Sequence, residues 1–416
     1  MEYDDSYVEI SHSKIHNHIA KTYINANSVH VVDHGPTEDG ASGMAPRRSK
    51  GKSGKKTGEE MLAEVQEKLP SLNFLQSHEE ASRKIIGESG QWFLGTEKFQ
   101  DWKSGKLAAF LGLGDPGVGK TCLVSLVISH LQGLHGSTRV PYLYMNHQEA
   151  ESQTPANIIS TLLKQLLSTY SSLPSSALSL YEQVNLDQGP PQMKVLVMTL
   201  IALCKDANYK TYIVIDALDE CKFSYQPDLV YVLEQLLANQ VYLFATSRPS
   251  SEDIESLFDT AHSIRYIIRA TDSDISSFLK QKLERKKSLK GILDEKFKNE
   301  AIDTIISRSQ GVFLIAAMQI DQILSLTNKS KMKEVLSKFP SDLETNFSRT
   351  LQRIEAQTSE LSNIAKLTMI WLIHAQQPFT VKALCYALGT KVGSNRFEVD
   401  NLTTSGIILE SCCGLV

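Results

Sequence analysis

Residues 108–121 read Ala108-Ala-Phe-Leu-Gly-Leu-Gly114-Asp-Pro-Gly117-Val-Gly119-Lys120-Thr121. An apolar, β-type run ends at Leu113. The next eight residues have the spacing G-x-x-x-x-G-K-[ST], and a helical pattern starts at Cys122. Glycines in such a loop permit backbone angles that turn successive N–H groups toward one point. The helix behind them adds the positive end of its dipole. A chain of phosphates fits this cradle, so the stretch predicts a P-loop for a nucleoside triphosphate. Gly114, Asp115, Pro116, Gly117, Val118, Gly119, Lys120, Thr121 and Cys122 are the expected nucleotide-binding residues. Lys120 would reach the β- and γ-phosphates, and the Thr121 hydroxyl would ligate Mg2+. The alternative, an ordinary Gly-rich strand-to-helix turn, is disfavoured by the correct strand and helix on either side.

Two further strands end in chemistry. Tyr212-Ile-Val-Ile-Asp216-Ala-Leu-Asp219-Glu220-Cys221 is an apolar run that stops at a carboxylate. In a P-loop protein such an Asp holds magnesium, so Asp216 is the second expected metal residue. Glu220 is the first candidate to orient and deprotonate an attacking water, with Asp219 the second. Val241-Tyr-Leu-Phe-Ala-Thr246-Ser247-Arg248-Pro249 ends likewise in polar residues. If that strand lies beside the P-loop strand, Arg248 points at the γ-phosphate and joins the catalytic set. A surface arginine ahead of a proline turn fits the same letters.

Working outward, short β-rich runs at 108–113, 140–146, 211–216, 241–246 and 264–268 alternate with helical patterns near 120–132, 155–170, 192–206 and 225–238. That alternation implies βαβ units and a mostly parallel sheet, an α/β fold. After residue 272 the strand signals stop. Helical patterns follow at 275–289, 297–307, 312–324, 331–336, 343–354 and 361–372.

Composition sets outer bounds. The 416 residues are 42% apolar and 22% charged, ordinary for a globular chain, and the net charge of -4 gives no sign of a nucleic-acid partner. The six cysteines, Cys122, Cys204, Cys221, Cys385, Cys412 and Cys413, form no CxxC pair, which fits a reducing compartment, cytoplasmic or nuclear. No apolar run approaches the roughly 18 residues of a membrane span, and the acidic start at Met1 is no secretory signal. Residues 1–56 stand apart. They hold His12, His16, His18, His30 and His34, a β-type alternation over Ile15–Val32, and a basic Gly/Ser stretch ending at Lys56. A polar tail with a flexible linker, a self-pairing β-motif and histidine metal binding all remain open for them.

Taken together, the motifs resemble the NACHT class of signal-transducing NTPases, and among them the nephrocystin-type proteins abundant in fungi. The likeness covers about residues 70 to 416. It is carried by Trp92-Phe-Leu and Phe99-Gln-Asp-Trp102 ahead of the loop, by the loop, by Ile213-Val-Ile-Asp-Ala-Leu-Asp-Glu-Cys221 and by Ala245-Thr-Ser-Arg-Pro249. Gly311-Val-Phe-Leu314, Trp371-Leu-Ile-His-Ala-Gln-Gln-Pro-Phe-Thr380 and Cys413-Gly-Leu-Val416 complete it. The tandem Asp-Ala-Leu-Asp-Glu-Cys is the most specific of these.

The resemblance implies a five-stranded sheet in the order 5-1-4-3-2, then helical and winged-helix parts that close over an ADP-bound resting form. It implies ATP and ADP as ligands with Mg2+, slow hydrolysis, and self-association on activation. The corresponding division is a lead-in over 57–103, an NTPase core over 104–271, a helical unit over 272–335 and a winged-helix-like unit over 336–416, complete or not. Protein partners through the N-terminal segment are a further expectation. The chain stops at Val416 without the sensing repeats that family members typically carry, which leaves a nucleotide-binding scaffold without turnover as the alternative. No histidine is placed as a phosphate contact; His374 is the nearby candidate, and a core histidine is the plainer expectation.

Overall fold

The computed structural model describes residues 56–134, 136–185, 190–249, 252–260, 262–286, 293–375, 380–390, 401–413 and 415. The expectations for the histidine-rich segment and most of the basic linker lie outside them.

Six strand segments build one parallel sheet: β1 Ala109–Leu113, β2 Thr138–Arg139, β3 Tyr142–Tyr144, β4 Lys210–Asp216, β5 Tyr242–Ser247 and β6 Ser263–Ile267. Both β2 and β3 pair with β4 in one continuous register, Thr138 opposite Lys210 and Tyr142 opposite Val214. They are one edge strand interrupted at Pro141, whose carbonyl still accepts from Val214 N at 3.0 Å. Proline is tolerated there because the strand lies at a sheet edge. Counted as one strand, it gives the expected order 5-1-4-3-2, with β1 between β5 and β6. The outer side of this edge is closed by Gln165, whose amide accepts from Tyr142 N and donates to Tyr142 O, both at 2.9 Å. A side chain that satisfies edge groups in this way removes a template for unwanted pairing.

β1 is buried at every position, as a strand covered on both faces must be. The residues ahead of the P-loop supply much of that cover. Phe93, Phe99 and Trp102 are fully buried, and Phe110 of β1 stacks on Phe244 of β5 with ring centroids 5.1 Å apart. Trp102 reaches the Phe244 ring at 5.4 Å and Phe93 reaches Phe110 at 5.5 Å. Each such ring removes about 150–250 Å² of surface from water, so this cluster fixes β1, and with it the loop that leaves β1.

Beyond β6 the described residues are helical. The helices Asp272–Arg285, Glu295–Ser309, Phe313–Leu324 and Lys329–Ser337 share one apolar core, and Leu343–Glu355, Ser359–His374, Val381–Gly389 and Ser405–Ser411 follow. Their starts are written in the sequence: Thr271, Asp294, Asn328, Asp342, Thr358, Thr380 and Thr404 each cap a helix with a side-chain oxygen. Two expectations are corrected here. Helix Asp272–Arg285 begins three residues earlier than the apolar periodicity suggests, because Thr271 and Asp274 form a capping box. His374 is exposed in the last turn of its helix, so it is no core histidine.

Asp274 also ties the helical part to the lead-in. Its carboxylate, 7% exposed, accepts from Gly90 N at 3.0 Å, Trp92 Nε1 at 2.8 Å and the Thr271 hydroxyl at 2.8 Å. Removing one partner that serves several buried donors leaves each of them unsatisfied. Asp274→Ala is therefore expected to destabilise the chain by about 2–4 kcal/mol. Chemical denaturation checks it, and an unchanged midpoint would mean that water takes over all three contacts.

Candidate functional site

The loop between β1 and the helix Lys120–Gln132 turns through two glycines in the left-handed region, Gly117 at φ 81° and Gly119 at φ 96°. Side-chain-bearing residues rarely hold these angles. At Gly117 a Cβ would also collide with Leu314, and at Gly119 it would lie 3.5 Å from the Phe313 ring. Leu314 N donates to Gly117 O at 3.2 Å. The first turn of the helix Phe313–Leu324 thus rests directly on the phosphate-binding loop.

Lys120 folds back over the loop, its ammonium donating to Gly114 O at 2.5 Å and Asp115 O at 3.1 Å. Burial pushes its pKa down, and Arg248 adds to this; the carboxylates of Asp219, Asp216 and Glu220 pull it back up. Four charged side chains from two other strand ends therefore converge on this lysine.

Asp216, at the end of β4, is 3% exposed. Burial pushes its carboxyl up, while hydrogen bonds from the hydroxyls of Thr246 and Thr121 and the charge of Lys120 pull it down. The Thr246 contact is 2.5 Å long. After Asp216 the chain turns through Ala217, a non-glycine residue at φ 56°. A short 3-10 turn, Leu218–Glu220, then presents the acidic pair.

Arg248 lies against that pair. Its backbone N donates to Asp219 Oδ1 at 3.1 Å, its Nε is 3.3 Å from Asp219 Oδ2, and an Nη2 is 3.5 Å from Glu220 Oε1. Glu220 Oε2 in turn accepts from His147 N at 3.3 Å. The structure thus answers the question left open for Arg248: it is no isolated surface arginine, and it meets the two carboxylates across the strand ends. Cys122 follows the loop as a neutral thiol, its pKa pushed up to about 11 by desolvation.

The residues expected to bind nucleotide and magnesium and to act in catalysis, 114–122, Asp216, Asp219, Glu220 and Arg248, come together at the C-terminal ends of β1, β4 and β5. Such strand ends are where open α/β sheets bind ligands. Four contributors carried no role in the sequence. Thr246 and His147 matter only once the strands are known to be neighbours. Phe313 and Leu314 were part of a recognisable motif, but nothing local placed them on the loop.

The donor set fits a triphosphate with magnesium. Two glycine turns and a helix start form the cradle, a half-buried ammonium donates to loop carbonyls, and a buried carboxylate meets the Thr121 hydroxyl. Among the described residues there is no cluster of three or more His, Cys, Asp or Glu that would hold a metal by itself. Magnesium at this site would depend on the phosphates for its remaining ligands.

Comparison with known proteins agrees with the motif. Residues 88–248 match the family described as Nephrocystin 3, N-terminal. The vegetative incompatibility protein HET-E-1 of Podospora anserina is 24% identical over 294 residues, covering 66% of this chain and 21% of that protein. The chain thus spans about a fifth of that relative's length. Among solved structures, the Aeropyrum pernix ORC1 protein in complex with DNA is 14% identical at a TM-score of 0.35, over 80% of this chain and 84% of that one. Drosophila ORC bound to DNA gives 15% and 0.38, over 77% and 86%. Thermotoga maritima RuvB gives 16% and 0.30, over 79% and 88%. At such TM-scores these likenesses say nothing of what this chain binds, and the expectation of no nucleic-acid partner draws nothing from them in either direction.

Proposed function

We propose that the chain is an ATP-operated molecular switch with slow, magnesium-dependent hydrolysis, a reading supported by the match of residues 88–248 to the Nephrocystin 3, N-terminal family and by the likeness to HET-E-1. The observation that carries this reading is the seat of Phe313 and Leu314 on the phosphate-binding loop. Whatever occupies the loop must press on, or be held by, the helices that begin there. A ligand shifts a conformational equilibrium only through contacts that differ between the states, and in this reading loop occupancy alters this contact.

In this reading the amides of Gly117 to Thr121 and the Lys120 ammonium bind the β- and γ-phosphates, Lys120 exchanging its loop carbonyls for phosphate oxygens. Thr121 and Asp216 hold Mg2+, which when bound neutralises charge on those phosphates. Glu220 orients a water and takes its proton; Asp219 is the second candidate. Arg248 reports whether the γ-phosphate is present, because its guanidinium can leave the acidic pair for a third phosphate. Its present ion pairs with both carboxylates support slow turnover, since Glu220 must be released from Arg248 before it can serve as a base.

Self-association in the ATP state and protein contacts through the N-terminal segment belong to the same proposal. Among the described residues no helix is long and apolar enough to cross a membrane. The six cysteines are free thiols, which supports a reducing compartment, and we assign the chain to the cytoplasm or nucleus on that basis.

Size-exclusion chromatography and limited proteolysis of the protein with no nucleotide, with ADP and with a slowly hydrolysed ATP analogue test the switch. A distinct cleavage pattern or a larger species in the triphosphate state is expected. Identical behaviour in all three would leave a nucleotide-binding scaffold instead.

A further inference from the structure

The geometry points to Thr246 as a positioning residue that sets the magnesium affinity of the nucleotide site. This rests on the reading above, in which Asp216 holds the metal.

Thr246 lies on β5 with no exposed surface. Its hydroxyl donates to Asp216 Oδ1 at 2.5 Å and accepts from Ala217 N at 3.0 Å. One oxygen therefore fixes two things on the neighbouring strand. It orients the carboxylate, and it satisfies the amide of the left-handed residue that starts the turn to Asp219 and Glu220. Both contacts are available because β4 and β5 are paired, with Val214 opposite Phe244 and Ile215 opposite Ala245. On its other side the Thr246 methyl approaches Gly112 of β1, where a Cβ would lie 3.5 Å from it. Thr246 is thus enclosed between its two paired neighbours, β4 and β1.

A carboxylate held by a buried hydroxyl is preorganised for a metal. Partners of this outer kind commonly change metal affinity about 10–100-fold when removed. The Thr246 hydroxyl is engaged by Asp216 and Ala217 and not by the loop Gly114–Thr121, so its effect is expected on Mg2+ and not on the loop's grip of the nucleotide.

The test uses the full chain and the variants Thr246→Val and Thr246→Ser. Affinity for a fluorescent ATP is measured in EDTA and across a Mg2+ titration. The valine variant is expected to bind nucleotide in EDTA as wild type does, yet to need about tenfold more Mg2+ to reach its tight form. The serine variant, which keeps the hydroxyl, is expected to behave as wild type. A wild-type Mg2+ midpoint for valine, or an equal shift for serine, overturns the inference. Should valine fail to fold, Thr246→Cys, with a far weaker donor, must show the same shift; an unshifted midpoint overturns the inference equally. Variants that lose binding in EDTA as well would show a structural role only and also overturn it. Failure of the wild type to bind in any condition is a different result: it removes the reading of the loop itself.

Discussion

Lys120→Ala is expected to leave the purified chain without nucleotide and to weaken ATP binding about 10²–10⁴-fold. The ammonium now makes two hydrogen bonds to loop carbonyls. When phosphates take their place, each bond becomes charge-assisted, worth about 1.5–3 kcal/mol. Two such bonds convert to the stated range at 1.4 kcal/mol per tenfold. The variant should fold at least as well as wild type, because alanine also removes a half-buried charge whose desolvation opposes folding. Binding is read by fluorescence titration and folding by thermal denaturation. Retained affinity with an intact fold would show that Lys120 never leaves its carbonyls.

Glu220→Gln should have the second-largest effect. A positioned general base contributes about 10²–10⁴-fold, so phosphate release is expected to fall by at least about 100-fold while ATP affinity is kept. The amide preserves an acceptor for His147 N and loses only the charge that meets Arg248. If Glu220→Gln turns over normally and Asp219→Asn does not, the base is Asp219. The two side chains are nearly equally buried, at 12% and 11% exposure, so geometry alone favours neither. Wild type that binds ATP and releases no phosphate would leave the scaffold reading.

What could be read from the sequence was what depends on neighbours in the chain. The P-loop, Asp216 and the acidic pair each occupy a few consecutive residues, and each follows an apolar run whose burial forces it into the sheet. Among the described residues ten α-helices start at a side-chain cap that local letters reveal, and even the strand order came with the family motifs. The contacts that join these pieces were not legible. The bond from Thr246 to Asp216 exists because two strands pair. Leu314 reaches Gly117 from a helix almost two hundred residues further along. The edge strand looked like one run over 140–146, but Pro141 splits it and its register begins at Thr138. Helix Leu178–Asn185 was missed, with only Leu180 fully packed to mark its face. The exposure of His374 likewise depends on how the last helices pack, which its own neighbours in sequence do not state.

The central claim is that the loop Gly114–Thr121 holds an adenine nucleotide, and the most direct measurement is of what the purified chain carries. Denaturing it and identifying the released small molecules by chromatography and mass spectrometry should yield ADP or ATP. An empty preparation should take up ATP when this is added with Mg2+. A chain that releases no nucleotide and binds none with Mg2+ present would contradict the account at its root.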